Sequence, residues 1–451
     1  MFLKEGIVIE QKVIKFVNHS SVLIQDGDNF ILTDPWYENP AFGSWLPVPP
    51  TSIHPAYLLA LSKTVENFSI MISHGHDDHL DDKFLSIFPT DTKIIIPKYK
   101  SKGVVKRLEN IGFTNIYEVC ENETNVGGFF IRSFIDESIS LDDAILTVKG
   151  SDFFVVHAND NWQKLNINSF NIIKEDSKSF DINRKVYMSQ CNIADGWPNI
   201  YRDYNLKQKK DIHLKRLTNM IFHGLKNAEN LSFGHFLNYA GHAAGFVKGK
   251  EFLKDITSFT SNSFVSKIKN TNNIMINILD MMPGDSFSFL NVENQFCGIN
   301  LDVKSLKDSS YKFYESYEKI LNCDTYKTNN VNSLKKSHNN FLNGFNDFVS
   351  RKVEDTKFNE EIIGFKIIFQ SDDFYSEIIV GGKEKYNHKT AIFRLSNSLM
   401  SELLDGKMNW ENLYIGFSGE VETVPRNTNI RSVVRWLAMY GYKYQRESKI
   451  K

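Results

Sequence analysis

The chain has 451 residues, 41% of them hydrophobic, enough to bury a sizeable core and to form two units. A net charge of -1 leaves no basic excess, which argues against nucleic acid or an anionic membrane surface as a main partner. The four cysteines, Cys120, Cys191, Cys297 and Cys323, show no CxxC or CxH spacing, so neither a disulfide framework nor an iron–sulfur cluster is written in the chain.

No run reaches the roughly 18 apolar residues that a membrane span needs. The opening MFLKEGIVIEQKV lacks a signal-peptide core, and a cytoplasmic location is the expectation. Residues 12–36 read as a two-stranded hairpin, KVIKFVNHSSVLIQ and FILTDPW, joined by a DGDN turn. An aromatic and proline-rich loop follows, PWYENPAFGSWLPVPP, then a helix around 54–66 and the buried strand NFSIMI. Further strands are predicted at TKIIIPK, TNIYEV, GGFFIRSF, DAILTVKG and DFFVVHAND, with a short helix near Lys100–Ile111. Residues 162–235 are rich in lysine and asparagine and read as loops and helices around a site. A composition shift near residue 255 predicts a first unit over 1–255 and a C-terminal extension over 256–451. In that extension IMINILDMMPGDSFSFLN looks like a strand pair, 305–350 like polar helices, and 363–445 like a small α/β unit ending in the helix RSVVRWLAMYGYKY.

The chemistry concentrates in SHGHDDHL, residues 73–80, directly after NFSIMI. His74, His76, Asp78 and His79 fall within six residues, and imidazole with carboxylate is the ligand set of borderline divalent metals. A tight turn leaving a strand can aim two alternate histidines at one ion and the next Asp-His pair at a second. Two ions need a carboxylate that bridges them, and Asp160, at the end of DFFVVHAND, is the candidate. A further histidine is expected from the far half at His242, in NYAGHAAGF, where glycine leaves backbone room. Asp34, in LTDP, is expected to orient a ligand imidazole. His19, in VNHSSVLI, reads as a core or supporting residue, with substrate contact as the alternative. Trp36, Phe42 and Trp45 read equally as walls of a pocket or as loop anchors, and Cys191 and Trp197 as residues bordering an active-site loop.

The order H-x-H-x-D-H is the metal motif of the metallo-β-lactamase superfamily, and the chain resembles it. The runs ILTDPWYENPAFGSW, PP and MISHGHDDHL resemble the non-Rieske portion of the CMP-N-acetylneuraminate hydroxylase family, and YMSQCNIADGWP, NYAGHAAGF, MMPGDS and NWENLYIGF resemble later segments of it. The resemblance implies an α/β fold: a metallo-β-lactamase αβ/βα sandwich carrying an appended C-terminal α/β (α+β) region. It also implies a histidine about twenty residues before the bridging aspartate, where this chain has SFIDESIS. Glu137, Asp136 or His157 is then the substitute ligand. A carboxylate there hardens the site and shifts its preference from zinc toward iron or manganese. The β-hydroxylase of chloramphenicol biosynthesis looks like a superfamily member of this kind, with a glutamate at a di-iron centre.

The leading expectation is therefore two divalent metals, iron favoured, in an oxygenase that hydroxylates a small polar molecule such as a sugar or nucleotide-linked substrate. His74, His76 and Glu137 would hold one ion, Asp78, His79 and His242 the other, and Asp160 would bridge. A separate electron-transfer protein would supply electrons. The rival expectation is a zinc or manganese hydrolase, similar to lactonase and phosphodiesterase branches of the superfamily, in which Asp78 or Asp160 orients a metal-bound hydroxide. A third reading, from the sterol-carrier-like pattern of the C-terminal region, is a metal-stabilised binding protein.

Overall fold

The computed structural model describes residues 12–37, 39–135, 143–160, 166–247, 249–257, 260–289, 331–352, 362–371, 373, 375–405 and 408–448. The first half of the chain supplies β1 (Lys12–Asn18), β2 (Ser21–Asp26), β3 (Asn29–Thr33), β4 (Trp45–Pro47), α1 (Pro55–Thr64), β5 (Asn67–Met71), α2 (Asp82–Leu85), β6 (Lys93–Pro97), α3 (Gly103–Ile111) and β7 (Ile116–Val119). These strands, without β4, form one seven-stranded sheet completed by a late strand at its edge. The hairpins β1-β2-β3 are antiparallel, and β3-β5-β6-β7 are parallel. The expected single hairpin over 12–36 is thus three strands. NHSS breaks the apolar run, and His19 turns the chain with φ +37, so the alternating pattern continues through a corner that periodicity cannot see.

The second sheet is built from β8 (Thr124–Val126), β9 (Phe129–Ile135), β10 (Ala144–Lys149), β11 (Phe154–His157), β12 (Lys185–Gln190), β13 (His235–Tyr239) and, after the short β14 (Ala243–Gly245), β15 (Asn277–Leu279). Its outer face carries α4 (Ile167–Ser177), α5 (Leu206–Asn230) and, following α6 (Phe252–Thr257), α7 (Asn262–Thr271). The stretch 162–235, expected as loops and helices only, therefore contains a central strand. Lys185–Gln190 is buried along nearly its whole length, and Val186 and Met188 enter the core between the sheets.

Both sheets are covered on both faces, which explains why their strands read as nearly continuous apolar runs. In β3, Ile31 enters the core between the sheets, while Phe30 and Leu32 pack on the side of Leu58 of α1 and Leu108 of α3. In β11, Val155 faces the other sheet, and Phe154 and Val156 face Leu217, Ile221 and Leu225 of α5. Four layers result, helix, sheet, sheet and helix, which is the expected αβ/βα sandwich. The two strands read from IMINILDMMPGDSFSFLN do not pair with each other. β15 joins the second sheet beside β13, and β16 (Ser286–Ser288) joins the first beside β1. Since both lie beyond residue 255, the sandwich extends at least to Ser288.

Beyond it stand α8 (Val331–Lys352), β17 (Lys366–Gln370), β18 (Tyr375–Ile379), β19 (Thr390–Arg394), α9 (Asn397–Asp405), α10 (Trp410–Tyr414), β20 (Glu420–Val424) and α11 (Arg431–Ser448). The four strands form a sheet in the order β18-β17-β19-β20. Its core is continuous with the aromatic loop of the first half, for Trp36, Phe42 and Trp45 pack in one cluster with Trp410, Leu413, Tyr414 and Phe417. Trp45 Nε1 donates to the Ile415 carbonyl at 2.8 Å. Gly416 lies so close to this loop that a Cβ there would overlap the Phe42 carbonyl oxygen. Among the described residues no helix is long and apolar enough to cross a membrane.

Leu237 of β13 is fully buried between the sheets. We expect Leu237→Ala to lower the unfolding free energy in urea by about 2–5 kcal/mol, and a loss below about 1 kcal/mol would contradict a close-packed inter-sheet core.

Candidate metal centre

β1, β3 and β5 run in the same direction in the first sheet, and their C-terminal ends meet the end of β11 from the second. His19 follows β1, Asp34 follows β3, the 73–79 segment follows β5 and Asp160 follows β11. β10 is antiparallel to β11, so Asp143, just before β10, arrives at the same edge. Strand-end placement is what lets residues far apart in sequence meet.

Asp34 organises the centre. It is fully buried, with φ +34, and its Oδ1 accepts from the Ser73 amide at 2.6 Å. Its Oδ2 accepts from Ser73 Oγ at 2.6 Å and Tyr239 Oη at 3.3 Å, and stands 2.9 Å from His79 Nδ1. Nδ1–H of His79 therefore points at Asp34, which leaves Nε2 as the lone-pair atom facing the ligand cluster. From outside, Arg107 of α3 grips the loop: its guanidinium donates to the carbonyls of Gly75 at 2.8 Å and Leu80 at 2.9 Å and to the carboxylates of Asp77 and Asp82. Tyr99 Oη donates to the Ser73 carbonyl. The loop is held on both sides.

Two groups of ligand atoms converge within 4.8 Å of one another: His74, His76 and Asp160 in one, His19, Asp78 and His79 in the other. Asp160 spans them, with Oδ1 3.5 Å from His79 Nε2 and Oδ2 3.9 Å from His74 Nε2. His74 Nε2 also lies 2.7 Å from His76 Nδ1 and 3.6 Å from Asp143 Oδ1. Its other nitrogen, Nδ1, lies 3.0 Å from both Ser73 Oγ and Asn159 Nδ2. His79 Nε2, Asp160 Oδ1 and Asp78 Oδ1 are buried yet make no hydrogen bond of acceptable geometry. Buried polar atoms clustered without hydrogen bonds are what a cation satisfies, so the donor set fits divalent metal.

The electrostatics agree. Burial pushes His74 well below the usual histidine range, and His79 and His76 push it further, favouring the neutral imidazole that a metal requires. Burial opposes charge on His79, but the carboxylates of Asp78, Asp160 and Asp34 outweigh it and hold the ring well above its usual range. Burial likewise opposes charge on Asp78, and His79 and His19 outweigh it, holding that carboxylate well below the ordinary value. This is a negatively polarised pocket that draws positive charge.

Of the expected ligands, His74, His76, Asp78, His79 and Asp160 come together. His242 lies outside both groups: it is buried with its ring edge-on to Phe16 at 4.8 Å, and burial and His19 lower its pKa to about 3. Glu137 and Asp136 lie outside the described residues. His157 is held behind the ligands, with Nε2 3.4 Å from Asp34 Oδ2 and against the Tyr239 hydroxyl. Sequence reasoning missed Asp143 and His19. The only signal was Asp143's place in the acidic run of IDESISLDD and His19's break in an apolar alternation. Trp36, Phe42 and Trp45 anchor the loop, all nearly buried, and two of them also touch the centre: Trp36 meets His19 edge-on at 5.1 Å and Phe42 meets His76 at 5.5 Å. Cys191 is buried, and burial raises its thiol pKa, which disfavours the thiolate.

A family model described as the beta-lactamase superfamily domain matches residues 13–173. Residues 13–173 are thus similar to that superfamily domain. The matched segment runs from β1 into α4 and contains His19, the 73–80 motif, Asp143 and Asp160. A curated protein of Mycolicibacterium smegmatis, named as a Rieske 2Fe-2S iron-sulfur protein, is 30% identical over 107 residues, 24% of this chain and 20% of that protein. The chain thus matches about a fifth of the length of its curated relatives. Among solved structures, a possible metal-dependent hydrolase from Veillonella parvula DSM 2008 aligns at 14% identity and a TM-score of 0.40, covering 62% of this chain and 99% of that one. The CmlA beta-hydroxylase aligns at 14% identity and a TM-score of 0.39, covering 61% of this chain and 53% of that one.

Asp34→Asn removes the anion that sets the His79 tautomer. The expected result is a metal affinity weaker by about 10–100-fold, read by competition with a chromophoric chelator; unchanged affinity would mean that Asp34 does not orient the ligand.

Proposed function

We propose that this chain is a dinuclear metal enzyme and that its chemistry is oxygenation: a non-haem iron hydroxylase acting on a small polar metabolite, such as a sugar or a nucleotide-linked molecule. His74, His76, Asp143 and Asp160 hold one ion, and Asp78, His79 and Asp160 the other. The observation that carries this reading is Asp143, whose Oδ1 stands 3.6 Å from His74 Nε2. In the expected zinc pattern an imidazole occupies this side of the site. An oxygen donor there, added to the carboxylates of Asp78 and Asp160, favours iron or manganese over zinc.

Iron held by these residues would supply dioxygen chemistry, with electrons from a separate protein. The name borne by the curated relatives, a Rieske iron-sulfur protein, supports a donor of that class. The chain's own residues do the rest. Asp34 and Ser73 fix the imidazoles, Asp160 holds the two positions in register, and the rings of Trp36 and Phe42 keep water from the buried side. Asp78 and Asp160 are the acids placed to orient a reacting group at the centre.

Protein prepared from iron-replete cells under low oxygen is expected to contain two irons per chain, to show a near-ultraviolet charge-transfer band, and to consume oxygen when given a reductant. Two zincs per chain, no absorbance and hydrolysis of a lactone or phosphodiester would overturn this in favour of the hydrolase. Asp143→His is expected to raise the zinc-to-iron ratio of the purified protein, and an unchanged ratio would show that this carboxylate does not choose the metal.

A further inference from the structure

We infer that His19, from the turn between β1 and β2, is a direct ligand of the second metal position and takes the role expected of His242. The inference rests on the dinuclear reading above. Its first support is distance. His19 Nε2 lies 3.4 Å from Asp78 Oδ2, Asp78 Oδ2 lies 3.5 Å from His79 Nε2, and His79 Nε2 lies 3.5 Å from Asp160 Oδ1. Ligand atoms bound at about 2.0–2.2 Å around one tetrahedral ion stand roughly 3.3–3.6 Å apart. A charge-assisted histidine–carboxylate hydrogen bond would instead be about 2.7–2.9 Å. The spacing matches a tetrahedral coordination shell and is longer than a close charge-assisted hydrogen bond.

The second support is how firmly the turn is tied to the other ligand segments. His19 adopts φ +37, a left-handed backbone that a non-glycine residue keeps only under constraint. The Ala240 amide donates to the His19 carbonyl at 2.9 Å, and Ser20 Oγ donates to the carbonyls of Asp78 at 3.0 Å and Asp34 at 3.3 Å. Thr33 Oγ1 donates to the Ser20 carbonyl at 3.0 Å. The ring itself is nearly buried against the edge of Trp36. His242 has no place in either ligand group, and its ring packs on Phe16. One consequence follows for the architecture: every ligand from His19 to Asp160 lies inside residues 13–173, so the matched segment carries the whole centre.

The test uses the full chain, stripped with a chelator and titrated with Co(II) alone. Wild-type protein is expected to take up two equivalents. His242→Ala keeps two, whereas His19→Ala keeps one tight equivalent and binds the second at least ~100-fold more weakly, since loss of supporting partners alone costs 10–100-fold. Equal melting temperatures of the stripped wild-type and His19→Ala proteins separate ligand loss from misfolding. His19→Cys decides the matter without that assumption: a thiolate-to-cobalt charge-transfer band is expected, and its absence overturns the inference. His19→Ala binding two equivalents with wild-type affinity, or His242→Ala dropping to one, overturns it as well while leaving the dinuclear reading intact. Wild-type uptake below two equivalents overturns that reading, and this inference with it.

Discussion

The buried carboxylate of Asp34 is the constraint on which the centre depends. It ties the end of β3 to the first residue of the metal loop through Ser73, to a ligand through His79, and to the second sheet through Tyr239 and His157. A buried anion is costly unless saturated with hydrogen bonds, and here every partner comes from a segment that must be in place for the ligands to converge. The same atoms that satisfy Asp34 therefore fix the geometry of the site. Neither sheet alone could do this, because the donors come from both.

A second consequence concerns the C-terminal unit. The loop that carries Trp36, Phe42 and Trp45 lies between the metal centre and the core of residues 331–440. Phe42 meets His76 on one side, and its carbonyl meets Gly416 on the other. Trp45 is held by the Ile415 carbonyl and packs on Phe417. The C-terminal unit thus buttresses the wall of the centre, and none of its described residues falls in either ligand group. A polar bridge reinforces it: Asp195, in the loop after β12, pairs with Arg216 of α5 and Arg431 of α11, which hold the buried carboxylate below its ordinary pKa against the opposing effect of burial.

Legibility followed the physics of each signal. Strands with both faces buried announce themselves as apolar runs, and TKIIIPK, DAILTVKG and DFFVVHAND all became strands. The strand Lys185–Gln190 escaped notice because its surroundings are polar and its run, KVYMSQ, is short and mixed. The pair β15 and β16 was visible as strands, but their destinations, one in each sheet, are non-local and leave no local trace. At the centre, Asp34 and Asp160 were legible as acids expected near the 73–80 motif, and the structure brings both beside it. The places of His19 and Asp143 were not legible, since each acquires its meaning from a neighbour more than fifty residues away.

By itself, the sequence marked a candidate metal cluster and the layered α/β class: six consecutive positions bring four metal-ligating residue types together through one local turn, and apolar periodicity dictates which segments are buried. Tertiary structure alone decided which distant residues come to lie beside that cluster. Strand order and direction place the ends of β1, β3, β5 and β11 at one edge, and sequence spacing does not encode distance across two sheets. The packing of one sheet on the other brings His19 and Asp143 to that edge.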